Sequence, residues 1–388
     1  AGIYFALSDQ NSNRCIMIIF YITGSELLWR GFNANINWEF GKYSILIIIF
    51  SILWRMGPQR IKNKKGLLYI LLLIPSFIVL DDFVRQDVSH AIGGPLCLGF
   101  GLLLFQNQII IKQNIIDYLQ TLLLPIISLI SIMIISTLQF GQIDFYASYI
   151  YEYTTAGIGP NQASNILGLG ILISFLLLLL DDKSRFVYAI LFFIFIFQTI
   201  ISYSRGGFWN AIVSVGIAVI FSLSSKIHIR RFIIIFSLMS SISYFVLLPR
   251  LDNITQQSIT KRYGDIEFDR RGFIIESELH AFNHNKVFGI GPGESRKYRL
   301  RYFDSPKHTH TEYSRLLAEH GIFGIGIIVL LFVLPLMVFK KKNGISRSIS
   351  LSLAIWSLLF MFHSATRLVA PSIIFSFAMA NMDLKRKK

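Results

Sequence analysis

The sequence predicts an all-α polytopic membrane protein with about twelve transmembrane helices and one long extracytoplasmic loop that carries short helices. The first observation is composition: of 388 residues, 53% are hydrophobic and only 15% are charged, with a mean hydropathy of +0.57, outside the range of a soluble domain. The second is the repetition of apolar blocks of about membrane-spanning length. The third is that the short segments between blocks carry basic clusters on every other side, the pattern of the positive-inside rule.

In order, the apolar blocks lie near 15–29, 39–54, 67–80, 91–105, 116–138, 164–180, 186–203, 207–223, 232–248, 316–339, 346–362 and 367–382. Several are shorter than the roughly 20 residues that a perpendicular span needs. The basic segments are "RMGPQRIKNKKG" (55–66), "KQN" (112–114), "DDKSR" (181–185), "SSKIHIRR" (224–231), "KKKNGISR" (340–347) and the closing "KRKK", and they alternate along the block count without exception. Both ends of the chain are therefore expected in the cytoplasm. Topology accounts for much of the net charge of +15, and no nucleic-acid recognition motif accompanies it. Cys15 and Cys97 have neither pairing nor metal-ligand spacing and read as packing residues. The opening "AGIYFALSDQ", without an initiator Met or a signal-peptide pattern, reads as a trimmed or processed start.

Three regions follow: residues 1–248 with nine spans, a loop at 249–311, and 312–388 with three spans and a basic tail. The parity also puts 30–38, "DDFVRQDVSH" (81–90) and 139–163 outside. The loop carries His280, His284, His308 and His310, half of the eight histidines, together with seven arginines from Arg250 to Arg301. Its GxGxG, Gly289, Gly291 and Gly293, lacks the strand-turn-helix context of a dinucleotide site, so its glycines serve tight turns or close backbone approach. "RRGFIIESELHAFNHN" has the spacing of an amphipathic surface helix, which would hold Arg270 and Arg271 at the bilayer boundary.

Arg205 in "SRGG" sits at the outer end of the seventh block, where an arginine is costly unless paired or snorkelling. "THTE" fits a capping box, with Thr309 as N-cap and Glu312 as its N3 partner. His310 then takes the first helical position, where the positive helix end disfavours imidazolium and leaves a neutral base. Glu319, two turns beyond Glu312, needs an arginine partner if buried, and either orients the site or acts as an alternative base. Asp81, Asp82, Asp87 and His90 read as a solvated acidic group, and no metal site is expected.

Four stretches together resemble the O-antigen ligase and O-antigen polymerase superfamily of integral membrane glycosyltransferases, with a GT-C-like architecture. They are "GIGPNQASNILGLG" (157–170), "SYSRGGFWNAIV" (202–213), the pair "RRGFIIES" and "FGIGPG", and "HTHTEYSRLLAEHGIFG" (308–324). The chain departs from that pattern in having Thr311 where Asn often follows the histidine, and Ile275 where Trp is frequent. The resemblance implies transfer of a glycan from undecaprenyl pyrophosphate to a hydroxyl of lipid A-core, or of a second lipid-linked glycan, at the periplasmic face of a bacterial inner membrane. It implies inversion and requires no metal or other cofactor. The leaving group is already a stable anion, so the protein must supply fixed cations and a base. Arg205 and Arg271 are the expected pyrophosphate ligands, with Arg270 either a partner or a solvated neighbour. His310 is the expected base, and Asn161, Gly291 and Glu312 are expected supports. Ligase and polymerase share the donor site, so both remain open, with the ligase preferred on the loop's basic excess. A transporter is disfavoured, because the chain shows no internal repeat and its charges gather on one loop.

Overall fold

The computed structural model describes residues 12–32, 34, 36–80, 84–139, 154–202, 204–222, 269–305 and 309–384. Its helices are α1 (Ser12–Gly31), α2 (Phe40–Met56), α3 (Lys65–Leu73), α4 (Arg85–Phe105), α5 (Lys112–Gln139), α6 (Pro160–Leu180), α7 (Arg185–Ile201) and α8 (Arg205–Ser222). After them come α9 (Asp269–His284), α10 (Ser295–Phe303), α11 (Glu312–Lys341), α12 (Gly344–Ser364) and α13 (Ala370–Ala378). All-α character is therefore observed; the one sheet among the described residues is a parallel pair of three-residue strands, β1 (Ile109–Ile111) and β2 (Asn381–Asp383).

By length and composition, six described helices can cross a membrane: α4, α5, α6, α8, α11 and α12. The expected twelve spans are not reached among the described residues. The third block breaks at Pro75, where α3 gives way to a 3-10 turn, Pro75–Val79, because proline cannot donate to the helical ladder. The ninth block lies outside the described residues, and the twelfth holds only the nine-residue α13.

The two ends of the bundle are distinct. At one end β1 pairs with β2, the Lys342 ammonium donates to the Ala380 carbonyl, Asn114 donates to Asn13, and Gln120 reaches Asp181. At the other, Glu312 bonds to Thr366 and Glu26 to nearby Val369, and Glu39 lines a cavity with Thr366. Helices α1, α6 and α11 thus each run from one end to the other. Packing joins the first and last of the described helices: Phe20 of α1 stacks on Tyr118 of α5 at 5.4 Å and meets Phe377 of α13 edge-on at 4.9 Å. On α7, Phe186, Ile190, Phe193 and Phe197 form an exposed apolar stripe at helical spacing, a face suited to acyl chains.

Candidate active site

Sequence chemistry and local structure meet first in α11. Its N-cap is Thr311, whose hydroxyl accepts from the Tyr313 amide at 3.3 Å. This corrects the expected capping box: Glu312 is the first helical residue, and His310 precedes the cap. His310 therefore stands outside the helix and not at its first position. Both threonines flank the histidine, so the T-x-x-E pattern points to the wrong one, and the Glu312 carboxylate turns inward to other partners.

Farther along, α11 breaks at Gly321, with φ 57° and ψ −133°, a conformation open to glycine and strained for any other residue. The break frees carbonyls that must be paired inside an apolar bundle. Ile290 donates to the Ala318 carbonyl at 2.9 Å and Gly291 to that of Glu319 at 3.2 Å, while Ile322 donates to Lys286 at 2.8 Å. Gly289, Gly291 and Gly293 all have positive φ, and a Cβ on Gly289 would lie 2.4 Å from the Glu319 carbonyl carbon. The glycine loop therefore approaches α11 as closely as the sequence pattern implies, and it bonds to the helix at Glu319.

Around this joint lies a cavity of about 530 Å³, lined by residues of α2, α4, α6, α10 and α11 and of the connections between helices, among them Lys42, Arg296, Arg299, Arg315, Arg367, Glu39, Asp87, His90, Gln162, Thr309 and Glu319. Arg315 bridges two carboxylates, donating to Glu312 at 2.5 Å and to Glu319 at 3.0 Å, and also to the Ala91 carbonyl at 2.8 Å. Glu319 is buried and, as expected, has its arginine; its other oxygen accepts from Ser295 at 2.8 Å. Glu312 accepts in addition from the Thr366 amide at 3.0 Å and hydroxyl at 3.1 Å.

A second buried pair joins α9 to α10: Arg299 donates to Glu278 at 2.7 Å. Thr309 and Ser314 also donate to Glu278, at 2.6 Å and 2.5 Å. Burial raises the Glu278 carboxyl above its ordinary pKa, while Ser314, Thr309 and Arg299 pull it down. Thr309, the neighbour of His310, is held from the other side by Arg367, whose guanidinium donates to its carbonyl. The turn that carries Arg367 is fixed at both flanks. Thr366 is bound by Glu312, and the Val369 amide donates at 2.6 Å to Glu26 of α1. Glu26 also pairs with Arg30 at 2.8 Å, and Arg30 donates to Gln162 at 3.1 Å and lies 4.1 Å over Trp38. Burial lowers the Arg367 pKa from its ordinary value, and the like charges of Arg299, Arg30 and Arg315 lower it further.

The remaining expected residues are placed as follows. Arg205 begins α8 and is half-buried at the same end of the bundle, yet neither it nor His310 is among the described residues that line the cavity. Asn161 anchors the connection before α8, accepting from Ser204 at 3.1 Å, while Ser164 donates to Ser204 at 2.9 Å. Asn165 of α6 bonds to Asn210 of α8, so both asparagine-bearing motifs join those helices. Arg270 and Arg271 lie in the first turn of α9, and their side chains are outside the described residues. Asp81, Asp82 and His308 are also outside them. Asp87 faces Lys297 at 3.9 Å and His90 faces Glu39 at 3.6 Å; among the described residues no group of three His, Cys, Asp or Glu could hold a metal.

Glu26, Arg30, Glu39, Lys42, Glu278, Arg315 and Arg367 are not singled out by sequence. One signal was available: "SELLWR" and "FGKYSILIIIF" each set an ionisable residue inside an apolar block, which marks a functional position by default.

Part of the chain is similar to known proteins. Residues 189–329 match the O-antigen ligase family, a span that contains Arg205, Arg271, His310 and Glu319. In this segment the chain is similar to O-antigen ligases. A curated relative, the ComP-specific O-oligosaccharyltransferase of Acinetobacter baylyi (strain ATCC 33305 / BD413 / ADP1), is 23% identical over 295 residues. That alignment covers 71% of this chain and 53% of the relative, so the chain spans about half the relative's length.

Proposed function

We propose that this protein is a membrane glycosyltransferase that moves a glycan from an undecaprenyl-pyrophosphate carrier to an acceptor hydroxyl, at the end of the bundle that faces the periplasm of a bacterial inner membrane. The observation that carries this reading is Arg367. It is a half-buried guanidinium with no acidic partner within 4 Å among the described residues, it repels three neighbouring guanidiniums, and it opens on a cavity at the end of an apolar bundle. A bound dianion relieves that repulsion, and guanidinium donors match phosphate oxygens in pairs.

In the reaction, the bond from the anomeric carbon to the phosphate oxygen breaks as the acceptor oxygen bonds to that carbon from the opposite face, inverting it. The lipid pyrophosphate leaves as an anion held by Arg367 and Arg299, with Arg205 and Arg271 assigned to the same charge as it enters or departs. The acceptor proton passes to His310. Glu319 is a positioning residue in this scheme, since Arg315 and Ser295 occupy both of its oxygens.

Lipid A-core is the acceptor we assign, on the basic excess of the outer loop. A hydroxyl on a protein is the second reading, favoured by the name of the Acinetobacter baylyi relative. Purified protein supplied with a synthetic polyprenyl-pyrophosphate oligosaccharide and either acceptor tests both. Transfer should fall by roughly 10²-fold or more in Arg367→Ala, the cost of removing one preorganised donor to developing charge. Undiminished transfer by that variant overturns the assignment.

A further inference from the structure

Opposite the cavity, the chain presents a second charged feature that glycan transfer does not use. Lys62, Lys64 and Lys65, with Asn63 and Leu68, line an open cavity of about 580 Å³ at the start of α3. The segment is rigidly presented: the Asn63 amide donates to the Asn107 side chain at 2.8 Å, the Asn107 side chain returns a bond to the Asn63 carbonyl at 3.0 Å, and the Lys65 amide donates to Asn63 at 3.2 Å. Its lysines stand at the N-terminal end of α3, where the unpaired amides already favour negative charge.

The last turn of α11 adds to this excess. The Lys65 ammonium lies 3.2 Å from the Met337 sulfur, one helical turn before Lys341, which acts on it as a like charge. Among the described residues none of Lys62, Lys64, Lys65 and Lys341 has an acidic partner within 4 Å. Beside the lysines Leu68, which shares the cavity wall, is 49% exposed, and Leu336, next to Met337 on α11, is 60% exposed.

We propose that this cavity at the start of α3, beside the end of α11, binds one anionic phospholipid, its phosphate held by Lys62, Lys64 and Lys65 and an acyl chain lying along Leu68. A rigid cluster of cations beside an exposed apolar side chain is complementary to a molecule that is anionic at one end and hydrocarbon at the other. A soluble anion would satisfy the lysines and leave Leu68 uncovered. The site is independent of the transfer reaction and of which membrane face it meets.

The test uses the full chain in a neutral detergent, with phosphatidylglycerol, phosphatidylcholine or glycerol 1-phosphate added, read by native mass spectrometry and thermal unfolding. Phosphatidylglycerol should remain bound through detergent removal and raise the unfolding temperature, whereas phosphatidylcholine and glycerol 1-phosphate should do neither. The combined Lys62→Gln, Lys64→Gln and Lys65→Gln variant should retain phosphatidylglycerol at least about tenfold more weakly. Lys183→Gln, in a different basic loop, should match the parent. Equal retention by the triple variant overturns the proposal, as does equal loss in Lys183→Gln, which would show diffuse charge attraction. Equal binding of glycerol 1-phosphate would remove the lipid from it.

Discussion

Replacing Arg315 by Met keeps the volume of its stem and abandons two buried carboxylates. Glu312 and Glu319 are 1% and 2% exposed, and Arg315 gives three hydrogen bonds to them and one to the Ala91 carbonyl. Glu312 keeps its two bonds from Thr366, and Glu319 keeps one from Ser295, so neither is stripped of donors, but both lose their counter-charge. Breaking a buried pair in this way costs about 3–5 kcal/mol. Adding Glu312→Gln and Glu319→Gln removes the stranded charge and should reduce the loss to about 1–3 kcal/mol, the cost of imperfectly paired polar groups. Cys15 and Cys97 are buried, so a thiol-reactive fluorophore reports unfolding without an added label. Arg315→Met should unfold well below the parent, and the triple variant should recover part of the difference. A triple variant as unstable as Arg315→Met, or a single variant as stable as the parent, refutes the counter-charge role.

Gly321→Ala should destabilise by about 3 kcal/mol, the sum of a left-handed backbone cost and steric overlap, since its Cβ would meet the Val287 carbonyl at 2.5 Å; the same thiol assay measures it, and an unchanged midpoint contradicts the demand for glycine at the break in α11. His310→Ala should lower transfer by roughly 10²- to 10⁴-fold, the range for a lost general base, with donor binding intact; loss of donor binding instead would make His310 a ligand. Arg205→Ala and Arg271→Ala should abolish transfer at normal protein levels, with Lys restoring it only in part because an ammonium cannot fork to phosphate; full activity of either Ala variant removes that arginine from the reaction. A reporter at Asn285 should be active only outside the cytoplasm and one at Lys341 only inside; exchanged signals reverse the orientation.

Periodicity and charge make the architecture readable, because a helix in an apolar solvent must satisfy its own backbone and basic loops mark alternate ends. The reading fails where a local exception is stabilised from far away. Pro75 ends α3 early beneath the broken α11, with Ser76 bonding to His320 at 2.7 Å, and no local pattern foretells that partnership. Among site residues, Glu319 is legible because its partner Arg315 stands four residues before it on the same helix. Arg299 is only one loop arginine of seven in the sequence, since Glu278 is twenty-one residues away. Arg367 is hidden by its neighbours: "LVAPSIIFSFAMA" extends an apolar block, and the arginine at its edge looks like a boundary.

The bond from the Val369 amide to Glu26 joins positions 343 residues apart. Turn and helix must therefore meet before Arg367 is set beside the cavity, whichever of the two is made first. In the proposed transfer, a change confined to α1, such as Glu26→Gln, would loosen the turn and displace that cation without touching a residue that lines the cavity.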